Sequence, residues 1–361
     1  MNSKKYLIFL FTFLMLFLGF HFLTWNLVTK TFFPSDEENV HVGDLARISY
    51  IKSSLELKEN RITLSKRHTN DKTIPTDVIT IGDSFSQGGA SGLNPYYQDY
   101  IATLQSLKVT NIEASPKGYI ETVLLLNANG TLDKLKPKAI ILQSIERSAI
   151  KRYAKKIDWN IEELKPEEPR AQTSHNQIKK SASPEPSFIN SLNYNALIYN
   201  ILYNYDDNAF YSKVYKVLLE KKLFSSKKKE QLLFFFEDIK NINYTNEVSI
   251  EQLNQNLNKL QDILNKKGIK LYFMPSVDKY NLYSSYIVQK NSYQKSLFFE
   301  LLRPLQRDYT LIDTKKILEK MLQENINDVY YPDDTHWSYK ASKRIFTDVI
   351  LSTSFYSVEN L

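Results

Sequence analysis

The chain has 361 residues, and 42% of them are hydrophobic, which is ample for one large or two medium packed domains. It contains no Cys, and this excludes disulfides, thiolate metal sites and a cysteine nucleophile. The formal net charge is +7, yet the basic residues are spread along the chain except for a cluster at residues 221–229. We interpret that cluster as a solvated loop or a site of attraction to anionic lipid or glycan, and we expect no nucleic-acid partner.

An apolar segment near the amino terminus predicts a membrane anchor. Residues 6–28 contain no Asp, Glu, Lys or Arg, and the segment is long enough to cross a bilayer as a helix. Lys4 and Lys5 precede it and acidic residues 36–38 follow, so the positive-inside rule leaves the amino terminus in the cytoplasm. A cleaved signal peptide is the alternative, but the apolar run is longer than usual and no small-residue cleavage site follows. We therefore predict a transmembrane anchor within residues 1–34 and an extracytoplasmic remainder.

The rest of the chain predicts a stalk and one α/β domain. Residues 35–75 are polar and charged, and we interpret them as a stalk. From residue 76 to residue 361, short β-branched or apolar runs alternate with helical patterns, which is typical of a parallel sheet. The five strands are predicted at residues 78–81, 109–112, 139–142, 269–274 and 309–312.

An insertion of about residues 155–245 interrupts this alternation. Residues 155–187 are rich in Lys, Glu, Pro and Ser and predict a flexible segment. Residues 188–242 are dense in aromatic residues, and their pattern favours a helical cap over a sheet.

The first strand of the domain leads into a serine. The sequence TDVITIGDSFSQGG, residues 76–89, has a buried strand that stops at Gly82. Such a turn presents the side chain of Ser84 at the carboxyl edge of the sheet. A serine nucleophile needs this exposure, together with a base that takes its proton and donors that hold the developing oxyanion. The alternative interpretation is that Ser84 or Ser86 only caps the next helix.

The same edge of the sheet is expected to carry further polar residues. Gly118 follows the second strand, the run from Gln143 to Arg147 follows the third, and Lys279 follows the fourth. Ligands bind at this edge in open α/β sheets, so we predict a ligand site there.

His336 is the candidate base. It lies in the run YYPDDTHWS, where Asp333 or Asp334 could orient the imidazole. Trp337 could shield the imidazole from water. The alternatives are a polar loop that caps the next helix and a metal site, which we do not expect because no second His or Cys cluster exists. The other four histidines are excluded by their predicted locations in the span, the stalk and the insertion: His21, His41, His68 and His175.

These motifs resemble those of a known superfamily. A GDS turn early in the domain and a terminal Asp-x-x-His or Asp-x-His element are similar to SGNH (GDSL) hydrolases, over about residues 76–355. The run DTHW, residues 334–337, and Asp-Lys-Tyr at residues 278–280 resemble membrane-anchored, alginate-type polysaccharide O-acetyltransferases. The resemblance implies a three-layer α/β/α sandwich in which Ser84 is the nucleophile and His336 the base. Asp334 would be the orienting acid, or Asp333 if the general Asp-x-x-His spacing applies.

Two features depart from the family patterns. The order here is serine then histidine, as in ordinary SGNH hydrolases, whereas the Asp-x-His element precedes the serine in the alginate enzymes. The Gly-x-Asn-Asp block is also missing, so the resemblance implies that Gln143 or Arg147 replaces its asparagine as oxyanion donor. Gly118 corresponds to the second-block glycine, whose N–H would be another donor.

The resemblance implies O-acyl transfer, in particular O-acetyl transfer, to a cell-envelope or exported polysaccharide. The enzyme would act outside the bacterial cytoplasmic membrane without a cofactor, and a multi-span membrane partner would supply acyl groups. Lys279, Arg147 and Trp337 are expected near the groove for the glycan acceptor. The alternatives are a glycan esterase or deacetylase and a non-catalytic glycan-binding assembly component.

Overall fold

A parallel sheet forms the centre of the molecule. The computed structural model describes residues 3–34, 39–57, 63–90, 92, 94–160, 187–289 and 293–351. The strands are β1 (Val40–His41), β2 (Leu55–Glu56), β3 (Val78–Gly82), β4 (Val109–Glu113), β5 (Ala139–Ile145), β6 (Val214–Leu218), β7 (Gln231–Phe235), β8 (Lys270–Ser276) and β9 (Thr310–Leu311). Five of them form one sheet in the order β4-β3-β5-β8-β9, and every neighbouring pair is parallel. All residues of β3 and β5 are buried, as expected for strands covered on both faces.

The α-helices of the described residues are α1 (Ser3–Leu27), α2 (Asp44–Ser49), α3 (Tyr97–Leu104), α4 (Tyr119–Ala128), α5 (Thr131–Leu135), α6 (Glu146–Tyr153), α7 (Leu192–Leu202), α8 (Glu237–Lys240), α9 (Glu247–Asn265), α10 (Lys279–Tyr283), α11 (Phe298–Leu302), α12 (Thr314–Gln323) and α13 (Tyr339–Asp348). Two groups of them flank the sheet. One group contains α3, α12 and α13, and another contains α4, α6, α9 and α11. The predicted α/β class with a parallel sheet is confirmed.

The strand ends differ from the prediction in a way that affects the site. β5 continues to Ile145, so Gln143 lies inside the strand and does not follow it. A turn occupies residues 84–90 after β3, and the next helix, α3, begins only at Tyr97. Ser84 therefore lies in a turn and does not cap a helix.

The segment predicted as a stalk packs against the domain wherever it is described. Leu45, Ala46 and Ile51 are buried, and the N–H of Ala46 donates to the carbonyl of Asp333 at 3.1 Å. The prediction of a stalk is corrected for residues 39–57, because their apolar side chains pack against distant parts of the chain. Residues 35–38 and 58–62 lie outside the described residues.

The aromatic part of the insertion is not simply a helical cap. It contains α7, and it also contains an antiparallel hairpin in which β6 pairs with β7. Residues 161–186, which include His175 and most of the predicted flexible segment, lie outside the described residues.

The amino-terminal helix α1 is a candidate transmembrane span. It is long, apolar and exposed over most of its length. Within it, His21 and Trp25 are buried, and His21 contacts α7.

Candidate active site

Ser84 projects from a tightly held turn at the end of β3. Its side chain is exposed, whereas Asp83 and Phe85 on either side of it are buried. The Phe85 N–H donates to Asp83 Oδ1 at 3.2 Å, and the Gly89 N–H donates to the Ser84 carbonyl at 2.7 Å. A Cβ at Gly82 would overlap the side chains of Gln143 and Ser86, so the turn requires glycine there.

A network of buried hydrogen bonds supports this turn. Gln143 Oε1 accepts hydrogen bonds from the Asp83 N–H at 3.0 Å and from Ser86 Oγ at 3.1 Å. The amide groups of Gln98 and Asn111 donate to the carbonyl of Ser86 at 2.9 and 3.0 Å. Because these buried amides hold their acceptors in fixed positions, the Ser84 backbone is held rigidly.

A chain of hydrogen bonds joins Ser84, His336 and Asp334. His336 Nε2 lies 2.7 Å from Ser84 Oγ, and His336 Nδ1 lies 2.6 Å from Asp334 Oδ1. The same Asp334 oxygen also accepts the His336 backbone N–H at 2.9 Å. Asp334 is thus the carboxylate that contacts His336 in the structure. A proton on Nδ1 would leave Nε2 free to accept the serine proton.

The electrostatics of the pair favour a charged imidazolium beside a carboxylate. Burial works to lower the pKa of His336, but the Asp334 carboxylate outweighs it and raises that pKa above its ordinary value. Burial works to raise the pKa of Asp334, but His336 and His41 outweigh it and hold that pKa below its ordinary range. Asp334 would therefore remain ionised if His336 gained or lost a proton.

A buried lysine holds the loop that contains His336 through three hydrogen bonds. Lys279 Nζ donates to the carbonyls of Tyr331, Pro332 and Asp334 at 2.7, 2.9 and 3.0 Å. Burial lowers the pKa of Lys279 to about 8, although Asp333 and Asp334 oppose this shift. On the other side of the loop, Asp44 of α2 accepts hydrogen bonds from the N–H and Oγ1 of Thr335 at 2.8 and 2.6 Å.

His41 lies beside Asp334, on the side of the carboxylate away from His336 Nδ1. Its Nε2 lies 3.1 Å from Asp334 Oδ2 and 3.8 Å from Asp333 Oδ1, and its ring stacks on Tyr331 with centroids 3.9 Å apart. Burial raises the pKa of Asp333 to about 6, and the facing His41 works against that rise. Sequence reasoning missed His41 and Asp44 because it assigned both to a stalk. The helix-like apolar spacing around residues 45–57 is the signal that could have found them.

Several residues predicted to bind substrate or oxyanion have other roles. Gln143 is fully buried and uses its Nε2 to donate to Ser276 Oγ at 3.0 Å, so it supports the turn and does not face a ligand. Arg147 forms ion pairs with Asp238 at 3.0 Å and Asp278 at 2.9 Å. Lys279, as shown above, holds the loop.

Two further expectations need correction. Trp337 is buried and donates its Nε1–H to Ser342 Oγ at 3.0 Å, and Phe85 lies against both Trp337 and His336, at 4.6 and 4.7 Å between ring centroids. Phe85, which the sequence analysis missed, is therefore the aromatic residue that packs against the imidazole ring.

Gly118 was expected to donate its N–H to the oxyanion. In the structure this N–H donates to the Ser115 carbonyl at 3.0 Å, within a local turn.

Asp44, Asp334 and His336 bring three potential metal-ligand atoms within 4.8 Å of one another. The hydrogen bonds of Asp44 to Thr335 and of Asp334 to His336 already account for this cluster. A metal ion at this position would have to replace both interactions.

Residues 229–349 match the family model of the SGNH hydrolase-like domain of the acetyltransferase AlgX. Over these residues the chain is similar to the SGNH hydrolase-like domain of AlgX. The matched segment contains Lys279, Asp334 and His336, whereas Ser84 precedes it. No curated protein and no solved structure matches the chain. The AlgX-like domain supports a function of the acyl-transfer or esterase type, and the predicted resemblance is confirmed.

The pH dependence of the AlgX-like domain is the first test of this geometry. His336 must be neutral to accept a proton, so cleavage of an activated acetyl ester should fall as pH drops through a pKa above about 6.5. Asp334→Asn removes the carboxylate that raises this pKa, so the midpoint should move to lower pH. The rate should also fall, by about 10⁴-fold if the pair behaves as in serine proteases. An unchanged midpoint in Asp334→Asn would contradict the pairing.

Two substitutions of His41 distinguish its contact with Asp334 from its packing against Tyr331. His41→Phe keeps an aromatic ring against Tyr331 but removes the contact with Asp334, whereas His41→Ala removes both. We expect kcat for the same ester to fall by roughly 5- to 30-fold in both variants, as for loss of about 1–2 kcal/mol of polar interaction. KM should change little. If His41→Phe restores the full rate, His41 serves only to pack the loop.

Proposed function

We propose that the protein is a serine-dependent O-acyltransferase, in particular an O-acetyltransferase, that modifies a cell-envelope or exported polysaccharide. The observation that carries the proposal is the exposed Ser84 hydroxyl at 2.7 Å from His336, which Asp334 orients, in a chain with an AlgX-like domain. Serine, histidine and aspartate in this geometry are the parts that acyl transfer through a covalent intermediate requires.

In the first half-reaction Ser84 Oγ attacks the carbonyl carbon of the acyl donor as His336 Nε2 accepts the hydroxyl proton. The carbonyl oxygen gains the negative charge, and the Ser84 N–H is a candidate donor for it, since it has no hydrogen-bond acceptor within the described residues. His336 then protonates the leaving group, and the acyl group stays on Ser84. In the second half-reaction an acceptor hydroxyl gives its proton to His336 and attacks the acyl carbon. The bond between that carbon and Ser84 Oγ then breaks, and His336 returns the proton to Ser84 Oγ.

The amino-terminal helix supports a location outside the cytoplasmic membrane. α1 is long enough to span a bilayer, and Lys4 and Lys5 at its start favour a cytoplasmic amino terminus. Acetyl-coenzyme A is not expected on the outer side of that membrane. The acyl group would therefore come through a multi-span membrane partner.

Ester hydrolysis is the second candidate function, because Ser84 is exposed and water can reach an acyl group on it. The two functions share the first half-reaction and differ only in whether water or a sugar hydroxyl completes the second. A non-catalytic glycan-binding component would not perform the first half-reaction.

The acyl-enzyme is directly testable by mass spectrometry. Full-length protein in detergent should gain one acetyl group on Ser84 when treated with an activated acetyl ester. Ser84→Ala and His336→Ala should each abolish this acetylation, and the double variant should be little worse than either single variant, since the residues act as a unit. Gln87→Ala, which alters an exposed side chain in the same turn, should retain it. Acetylation of Ser84→Ala at the wild-type rate would remove the nucleophile assignment.

Transfer and hydrolysis are distinguished by the fate of the acyl group. With a transferase, adding polysaccharide fragments should speed the loss of acetyl from Ser84 and should move the acetyl mass onto the sugar. With an esterase, free acetate should be the only product at an unchanged rate. Protein that never becomes acetylated with any donor would instead favour the non-catalytic component.

A further inference from the structure

Helix α7 carries an apolar face that the described parts of the protein leave partly exposed. Tyr194, Leu197, Ile198, Ile201 and Tyr205 are 43–77% exposed, and the first four lie on one side of the helix at helical spacing. The helix itself contains no charged residue. An exposed apolar face of this composition marks an interaction site on a protein surface.

The same helix contacts the candidate transmembrane span. Asn193 Nδ2 lies 2.9 Å from His21 Nδ1, and the Tyr194 hydroxyl lies 3.2 Å from His21 Nε2. The ring of Phe20 stacks on Tyr194 with centroids 4.8 Å apart. A histidine inside an apolar span needs polar partners, and α7 supplies them.

The position of His21 along α1 sets the depth of this contact. A bilayer core of about 30 Å takes about 20 helical residues, so a span that begins at Tyr6 ends near Trp25. His21 then lies about 6 Å inside the outer boundary. The start of α7 is therefore at the level of the outer leaflet, and its apolar face continues the exposed apolar surface of α1.

We propose that α7 is a second membrane contact, with its face formed by Tyr194, Leu197, Ile198 and Ile201 inserted into the outer leaflet beside α1. This inference rests on the proposed membrane anchorage. The exposed Phe188 and Ile189 just before the helix extend the lipid-facing surface. An amphipathic helix at the interface binds in proportion to the apolar area that it buries in the lipid.

The opposite face of α7 connects this contact to the active site. Tyr199 and Tyr203 pack in one cluster with Leu45 of α2. The adjacent residue Asp44 holds Thr335 beside the base His336. Lipid contact at α7 therefore fixes the orientation of the Ser84 site relative to the bilayer, which suits an acyl donor carried in the membrane.

The absence of Cys allows a clean labelling test in the full chain. Single variants Ile198→Cys and Ile201→Cys carry a nitroxide label, and the protein is reconstituted in phosphatidylcholine and phosphatidylglycerol vesicles. Collision with oxygen reports lipid, and collision with a soluble nickel chelate reports water. Leu14→Cys in α1 is the lipid control, and Val248→Cys, an exposed apolar position on α9, is the aqueous control.

We expect both α7 labels to resemble the Leu14 label, with oxygen collisions that exceed nickel collisions several-fold. Aqueous α7 labels with a lipid-exposed Leu14 label would overturn the α7 contact and leave the anchor intact. Labels shielded from both reagents would also overturn it, because a second copy or another protein would then cover the face. An aqueous Leu14 label would overturn the anchor itself.

Acetylation of Ser84 by an activated ester is measured on the same labelled proteins. Normal acetylation shows that each variant is folded, and it tests the proposed chemistry independently of the membrane contact. Lipid-exposed α7 labels in a protein that never acetylates would thus support the contact and contradict the enzyme function.

Discussion

The geometry of the candidate site depends on one hydrogen bond, between Ser84 and His336. It joins residues 252 positions apart, one at the end of β3 and one in a loop before α13. A proton can pass between them only if both backbones are held to within a fraction of an ångström. The buried amides of Gln98 and Asn111 hold one side of the pair, and Lys279 holds the other.

Buried ionisable side chains support the loop that contains His336. Lys279, Asp333, Asp334 and His41 are all buried, so the charged groups among them rely on their neighbours for the stabilisation that solvent would otherwise provide. Such a cluster adds little net stability compared with apolar packing, but removal of one member leaves a buried partner uncompensated. The cluster therefore favours a single conformation of the loop.

The amino-terminal segment links this loop to the candidate membrane helix. α1 leads through a 3₁₀ turn at Thr29–Phe32 to α2, whose residue Asp44 binds the loop at Thr335. A Cβ at Gly43 would overlap the backbone of Asp333, which shows how closely the two segments approach. Residues 41–44, which follow the candidate span, are thus part of the candidate site.

The sequence by itself determined the α/β class, the five strands and the candidate span, because these follow from local periodicity and from the length of apolar runs. It also singled out Ser84 and His336, one by its strand-to-turn context and the other because the remaining histidines had other assignments. Asp333 and Asp334 remained alternatives, since adjacent carboxylates look equivalent until the loop has a conformation. Only the tertiary structure placed His41 and Asp44 beside the loop. It also showed that the side chains of Gln143 and Lys279 are buried. The physical reason is that a polar side chain near a strand end has the same local pattern whether its partner is a ligand or a distant segment of the chain.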